Sequence, residues 1–340
     1  MGKKYNVAVL GATGMVGKVM MQVLEQRNFP IEKFLPLASS RTAGSSVEFK
    51  GQKYEVVEAT ESVFKGVDIV LSSAGAKVSE KLARPAAKAG AVVIDNTSFF
   101  RMEKDIPLVV PEVNGHVLKQ HKGIIANPNC STAQMVMALK PIYDAVGIER
   151  LVISTYQAVS GWGKEAVDLL RSQISAIEKG EEIPQDKSIF AYQIAFNCIP
   201  QIDKFEENGY TKEELKMVNE TRKILEDEKI QVTATCIRVP VMVGHSESVN
   251  IKTKKKISAA EVRNLLSKFP TVKVLDEPAK QIYPTPLNCE GKDETFVGRI
   301  REDISQENGL EMWIVSDNLR RGAALNAVLI AERMIADKLI

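Results

Sequence analysis

The stretch Val7–Gly17, "VAVLGATGMVG", decides the fold of the amino-terminal part of the chain. Val7–Leu10 carries no polar residue, as a parallel strand covered on both faces requires. Gly11, Gly14 and Gly17 follow, and Val16, Val19, Met20, Val23 and Leu24 then recur at helical intervals. The reading is strand, glycine turn, helix. Glycines let backbone approach a pyrophosphate, and a helix start offers unpaired N–H groups at the positive end of its dipole. The same pattern also describes a tight, closely packed turn that binds nothing.

Working outward, a strand over Phe34–Ala38 ends in Ser39-Ser40-Arg41-Thr42. An NAD site wants Asp or Glu here for the ribose hydroxyls, whereas hydroxyls and an arginine suit a 2′-phosphate, so NADP is favoured. A strand over Asp68–Leu71, a helix over Lys77–Lys88 and a strand over Ala91–Asp95 continue the alternation. That rhythm predicts a Rossmann-type doubly wound parallel sheet, with Ser72–Ala76 at a strand's ligand-binding end. After about residue 130 the rhythm becomes mixed α+β. "RLVISTYQAVSG" and "QVTATCIRVPVMVGHSESVNIKTKKK" alternate like strands, and the second is long enough for antiparallel strands. Thr211 with Glu214 and Ser258 with Glu261 form capping boxes that open helices. The final helix, about four turns, returns to the first domain. The expected division is 1–129 with 319–340 as the nucleotide-binding domain, and 130–318 as a catalytic and dimerisation domain.

A chain of 340 residues exceeds the size of one core, so two domains are the default. Apolar residues make up 44%, charged residues 26%, and the net charge is +2, an ordinary water-soluble balance. No concentrated basic face for nucleic acid is visible; Lys252–Lys256 reads as a solvated edge. No run has membrane-spanning length. The four cysteines form no CxxC pair and there are three histidines, so no metal site is expected. Free thiols fit a reducing cytoplasm.

Cys130 stands in "NPNCST", just before the helical pattern of Met135, Val136, Leu139 and Ile142. A helix mouth stabilises a thiolate, yet free cysteine is also a common packing residue, and position alone leaves both readings open. "GATGMVG", "IDNTSFFR", "VPEVN", "NPNCST", "TYQAVSG", "ETRKI", "RVPVMVGHSE" and "DNLRRGAALNA" occur in order along nearly the whole chain. In these pieces the sequence resembles the bacterial aspartate-β-semialdehyde dehydrogenases. "NPNC" in place of "NPGC" separates it from N-acetyl-glutamyl-phosphate reductases.

The resemblance implies the following. Cys130 is the nucleophile, forming a hemithioacetal and then a thioester that inorganic phosphate releases as aspartyl phosphate. His245 is the acid/base, and Gln157 orients the substrate beside the cysteine. Arg238 holds the α-carboxylate and Glu220 the amino group; Arg101 and Lys223 meet phosphate. Read without the resemblance, Glu220 and Lys223 are a surface ion pair at i, i+3. Thr13, Gly14, Met15 and Val16 form the pyrophosphate turn of an NADP site, Ser40, Arg41 and Thr42 take the 2′-phosphate, and Ser160, Gly161 and Asn318 complete the cofactor contacts. The implied role is in lysine, diaminopimelate, threonine, methionine and isoleucine biosynthesis, as a cytoplasmic homodimer, with a tetramer as the alternative. A paralogue that kept the fold and lost the chemistry is the competing class, and its expected signature is loss of the nucleophile or base. Cys198, His116 and His121 have no assigned role.

Overall fold

Val7–Leu10 falls in β1 (Tyr5–Leu10), with all four residues buried. In this computed structural model, which describes residues 2–340, β1 leads through the glycine turn into α1 (Met15–Gln26) and β2 (Ile31–Ala38). Gly17 is needed for that entry, since a Cβ there would sit 2.2 Å from the Gly11 carbonyl oxygen. A hairpin of β3 (Ser46–Phe49) and β4 (Gln52–Glu55) precedes β5 (Val57–Glu58). Then come β6 (Ile69–Ser72), α2 (Ala76–Lys88), β7 (Val92–Asp95), the single turn α3 (Pro111–Asn114) and β8 (Ile124–Ala126). Hairpin aside, these strands form a six-stranded parallel sheet ordered β5-β2-β1-β6-β7-β8. The order reverses between β1 and β6, which opens a crevice at their carboxyl ends.

The second unit, Cys130–Gly322, begins with α4 (Cys130–Val146). It continues through β9 (Ile148–Gln157), α5 (Lys164–Lys179), α6 (Lys212–Leu225), β10 (Gln231–Arg238), β11 (His245–Thr253) and α7 (Ala259–Lys268). β12 (Val272–Val274), α8 (Pro286–Cys289), β13 (Thr295–Glu302) and β14 (Gly309–Ser316) complete a mixed six-stranded sheet ordered β10-β9-β11-β14-β13-β12. Both capping boxes form as read.

The two strands of the long alternating stretch do not pair with each other, because β9 lies between them, parallel to β10 and antiparallel to β11. The link at 239–244, with Pro240 and with Gly244 at φ +98°, crosses over a strand instead of closing a hairpin. That crossing positions the site. β9 ends at Gln157 and β10 at its register partner Arg238, while β11 starts at His245, the partner of Ser316 at the end of β14. Four strand ends therefore bring these side chains to one edge of the sheet.

The first unit runs to Asn129 and takes up Ala323–Ile340. After a π-turn over Arg320–Ala324, α9 (Leu325–Ala336) buries Leu325, Val328, Ile330 and Met334 in the same core as Val7, Val9, Ile69 and Ile94. No helix among the described residues is long and apolar enough to cross a membrane.

Candidate active site

Cys130 is the first residue of α4 and is half-buried. The other thiols differ from it. Cys198 is exposed in a loop, whereas burial pushes the Cys289 thiol up to about 12 and Cys236 higher still. Gly322 packs on Cys130: a Cβ there would lie 2.5 Å from the cysteine Cβ and 2.8 Å from its Cα. The sequence reading missed Gly322. Its signal is a glycine inside the otherwise helix-forming "RRGAALNA", where glycine costs about 1 kcal/mol unless contact demands it.

Arg238 is 3% exposed and its Nη1 donates to the Ala158 carbonyl at 2.6 Å. Burial lowers its pKa, while Glu213 and Cys130 work the other way and favour its charge. His245 has no exposed surface. Its Nδ1 accepts the Ala158 N–H at 3.0 Å, so the neutral ring carries its proton on Nε2. Burial and then the Arg238 charge bring its pKa down to about 3. His245 Nε2 makes no hydrogen bond among the described residues. A Cβ on Gly161 would lie 3.1 Å from both His245 Nε2 and Arg238 Nη1, so the bare α-carbon keeps that space open. Thus Arg238 acts electrostatically on both Cys130 and His245, and the expected nucleophile, base and carboxylate holder share one field.

Gln157 is buried; Thr155 Oγ1 donates to its Oε1 at 3.1 Å, and its Nε2 donates to Glu213 Oε1 at 3.0 Å. Lys216 Nζ donates to Glu213 Oε2 at 2.9 Å and to Asp203 Oδ2 at 3.0 Å. Burial works against the charge on Lys216, but these two carboxylates outweigh it and hold its pKa well above the usual lysine range. The expected pair, Glu220 and Lys223, stands elsewhere. Each lies seven residues beyond Glu213 and Lys216 on α6, almost two full turns and roughly 10 Å along the same stripe. Of the two pairs, Glu213 and Lys216 are the one joined to Gln157 by hydrogen bonds. The i, i+3 spacing is common to both pairs, so spacing alone could not separate them.

Asn318 and Ser160 engage each other: Asn318 Nδ2 donates to Ser160 Oγ at 3.0 Å. Asn318 Oδ1 accepts the Gly244 N–H at 2.8 Å and so braces the residue before His245.

In the first unit, a cavity of about 670 Å³ lies at the strand-order reversal, lined by Gly11, Thr13, Gly14 and Ser39–Thr42. Thr13 Oγ1 and Thr42 Oγ1 hydrogen-bond at 3.4 Å across it. Met15 and Val16 open α1 and contribute first-turn backbone rather than lining side chains. Lys77 and Lys81 of α2 also line the cavity, as does Glu58. Arg41, Lys77 and Lys81 are exposed and make no ion pair among the described residues, so three cations face one carboxylate, which suits a phosphorylated ribose. Arg101 is 7% exposed and fixed by the carbonyls of Asn127, at 2.9 Å from Nε, and Asn96, at 3.0 Å from Nη2.

Comparison with known proteins agrees in both halves. Residues 6–121 match the model of the semialdehyde dehydrogenase NAD-binding domain, and 139–321 that of the semialdehyde dehydrogenase dimerisation domain. The chain is 54% identical over 339 residues to an aspartate-semialdehyde dehydrogenase of Aquifex aeolicus, covering 99% of each. It is also 54% identical over 340 residues to that of Bacillus subtilis, covering 98% of each. Aspartate semialdehyde dehydrogenase II of Vibrio cholerae, solved complexed with ASA, superposes with a TM-score of 0.96 at 48% identity over 99% of both chains. The enzyme from Candida albicans with NADP superposes with a TM-score of 0.76 at 28% identity, covering 99% of this chain and all of the other.

Proposed function

Because the chain belongs to the aspartate-semialdehyde dehydrogenase family, we propose that it oxidises L-aspartate 4-semialdehyde reversibly to L-4-aspartyl phosphate, using NADP and inorganic phosphate. The observation that carries the mechanism is that Arg238 Nη1 and His245 Nε2 both border the open space at the bare Gly161 α-carbon, each 3.1 Å from where a Cβ would stand. A helix start and a guanidinium both favour the ionised sulfur. The Cys130 sulfur adds to the aldehyde carbon, and the carbonyl oxygen becomes an oxyanion. His245 Nε2–H, unbonded among the described residues, donates to that oxygen, a role matched to a ring held neutral. NADP+, held by the glycine turn and Arg41, would supply the hydride acceptor. Loss of hydride leaves a thioester on Cys130. A phosphate oxygen then attacks the thioester carbon, the C–S bond breaks and the sulfur departs as thiolate.

Arg238 has guanidinium donors beyond the one given to Ala158 and holds the substrate α-carboxylate. Glu213 receives the ammonium and Gln157 orients the carbonyl. Lys216 and Arg101 hold phosphate. A free amino acid is favoured over an N-acyl analogue, which offers Glu213 no cation. The three cations at the nucleotide cavity favour NADP over NAD. The work belongs to amino-acid biosynthesis, on the cytoplasmic route from aspartate to diaminopimelate, lysine, threonine, methionine and isoleucine. The enzyme works as a homodimer through the domain at 139–321.

The test is direct. Sustained production of reduced nicotinamide should require semialdehyde, NADP+ and phosphate together; without phosphate it should stop after one turnover, at the thioester. Folded protein that gives no signal in the complete mixture overturns the reading; continued turnover without phosphate overturns the phosphorolytic step.

A further inference from the structure

Glu247 lies two residues after His245 on β11, has no exposed surface, and neither carboxyl oxygen makes a hydrogen bond of ordinary geometry. Alternation along β11 places residues 245, 247, 249 and 251 on one buried face, against which α4 packs. The register partners of Glu247 are Thr155 on β9 and Ile314 on β14. Nothing titratable stands at the neighbouring same-face positions of those strands, Ile153, Gln157, Met312 and Ser316. α4 carries Cys130 at its start and, in its last two turns, Lys140 paired with Asp144, and Tyr143 bonded to Asp227. From β10, one strand beyond β9, the titratable groups are Cys236 and Arg238, and from α6 they are Glu213 and Glu214, which act on Cys236 as Glu247 does. No cation among the described residues acts on Glu247; the polar side chain that does is Gln134.

Gln134 stands one turn after Cys130 on α4. Its Nε2 donates to the His245 carbonyl at 3.2 Å and its Oε1 accepts from Ser316 Oγ at 2.6 Å. It therefore ties the nucleophile's helix to the strand end that carries the imidazole. A carboxylate here would be a buried charge with no counterion, which proteins avoid by keeping the proton.

We propose that Glu247 is carried as a neutral carboxylic acid and acts as a positioning residue, supporting Gln134 and through it the backbone that presents His245. Burial alone pushes its carboxyl well above the ordinary glutamate value. The native chain then keeps a proton that the unfolded chain releases. Stability from this group is complete below the unfolded glutamate value and is lost as pH rises toward the folded one.

The effect on turnover rests on the role given to His245 above; the protonation state does not. The experiment compares wild type with Glu247→Gln and Glu247→Leu. At neutral pH, infrared spectra of the wild type should contain the carbonyl band of a buried protonated carboxyl, absent from the Gln variant. Between pH 5 and neutrality, the wild-type melting temperature should fall relative to that of Glu247→Gln. Glu247→Leu should lower kcat about tenfold or more with KM for NADP unchanged, and Glu247→Gln should restore it. A wild type without the band overturns the neutral acid. A Leu variant with normal kcat, or a Gln variant as impaired as Leu, overturns the positioning role. Should no form turn over the semialdehyde, the proposed function fails while the infrared band still decides the state of Glu247.

Discussion

The two ligand regions of this chain treat charge in opposite ways. Around Gln157 and Arg238 the ionic groups are buried and already bonded: Glu213 to Gln157 and Lys216, Arg238 to Ala158, His245 Nδ1 to the Ala158 amide. Around the glycine turn the cations Arg41, Lys77 and Lys81 are exposed and make no ion pair among the described residues. A reacting centre needs groups fixed before substrate arrives, because electrostatic stabilisation works through dipoles that need not reorganise. A cofactor that comes and goes is better met by solvated charges whose desolvation cost is small. Substitutions in the first region should therefore change kcat, and in the second KM.

The sharpest break is Cys130→Ala. It should lower turnover by more than about 10⁴-fold, while titration of nicotinamide fluorescence shows unchanged cofactor binding. Near-normal turnover would remove the covalent route. Next is Gly322→Ala, whose methyl must displace Cys130; kcat should fall on the order of 100-fold, with KM for NADP unmoved. Unaltered kcat would mean that the π-turn yields instead of the cysteine.

Third, Lys216→Ala should raise KM for phosphate roughly 10- to 50-fold, and Lys223→Ala should change it less than about twofold. The reverse order would return the phosphate role to the later pair. The smallest effect belongs to the open cavity. Arg41→Ala, or Lys77→Ala with Lys81→Ala, should weaken NADP about tenfold and leave NAD unchanged, as expected for solvated contacts to one phosphate. Equal loss for both cofactors would take these cations off the 2′-phosphate. pH gives an independent check. His245 is held near 3, below its ordinary value, so the unfolded chain binds the proton first and stability should drop as pH falls from about 6.5 toward 3. His245→Asn should flatten that acid limb in thermal melts.

The parallel sheet was legible because its signals are local. "VAVLGATGMVG" holds strand, turn and helix within one short window, and the capping boxes at Thr211 and Ser258 announce their helices in four residues each. Strand pairing in the second unit was not, since register and crossing depend on contacts far apart in sequence. Nothing in "RVPVMVGHSE" says that β9 will insert between its strands. The choice between Glu220 and Glu213 was not legible for a related reason. A helical stripe repeats nearly every seven residues, so periodicity identifies the face and not the turn. Gly322 and Glu247 became informative only once their neighbours were known.

The crossing of the chain at Asn129 and again at Ala323 has a consequence for biogenesis. The nucleotide sheet is made first but lacks α9, whose Leu325, Val328, Ile330 and Met334 cover its hydrophobic side. During synthesis at about 5–20 residues per second, that surface stays uncovered for many seconds after Ala126 has emerged. A nascent chain of this enzyme should therefore be a chaperone client until α9 leaves the ribosome.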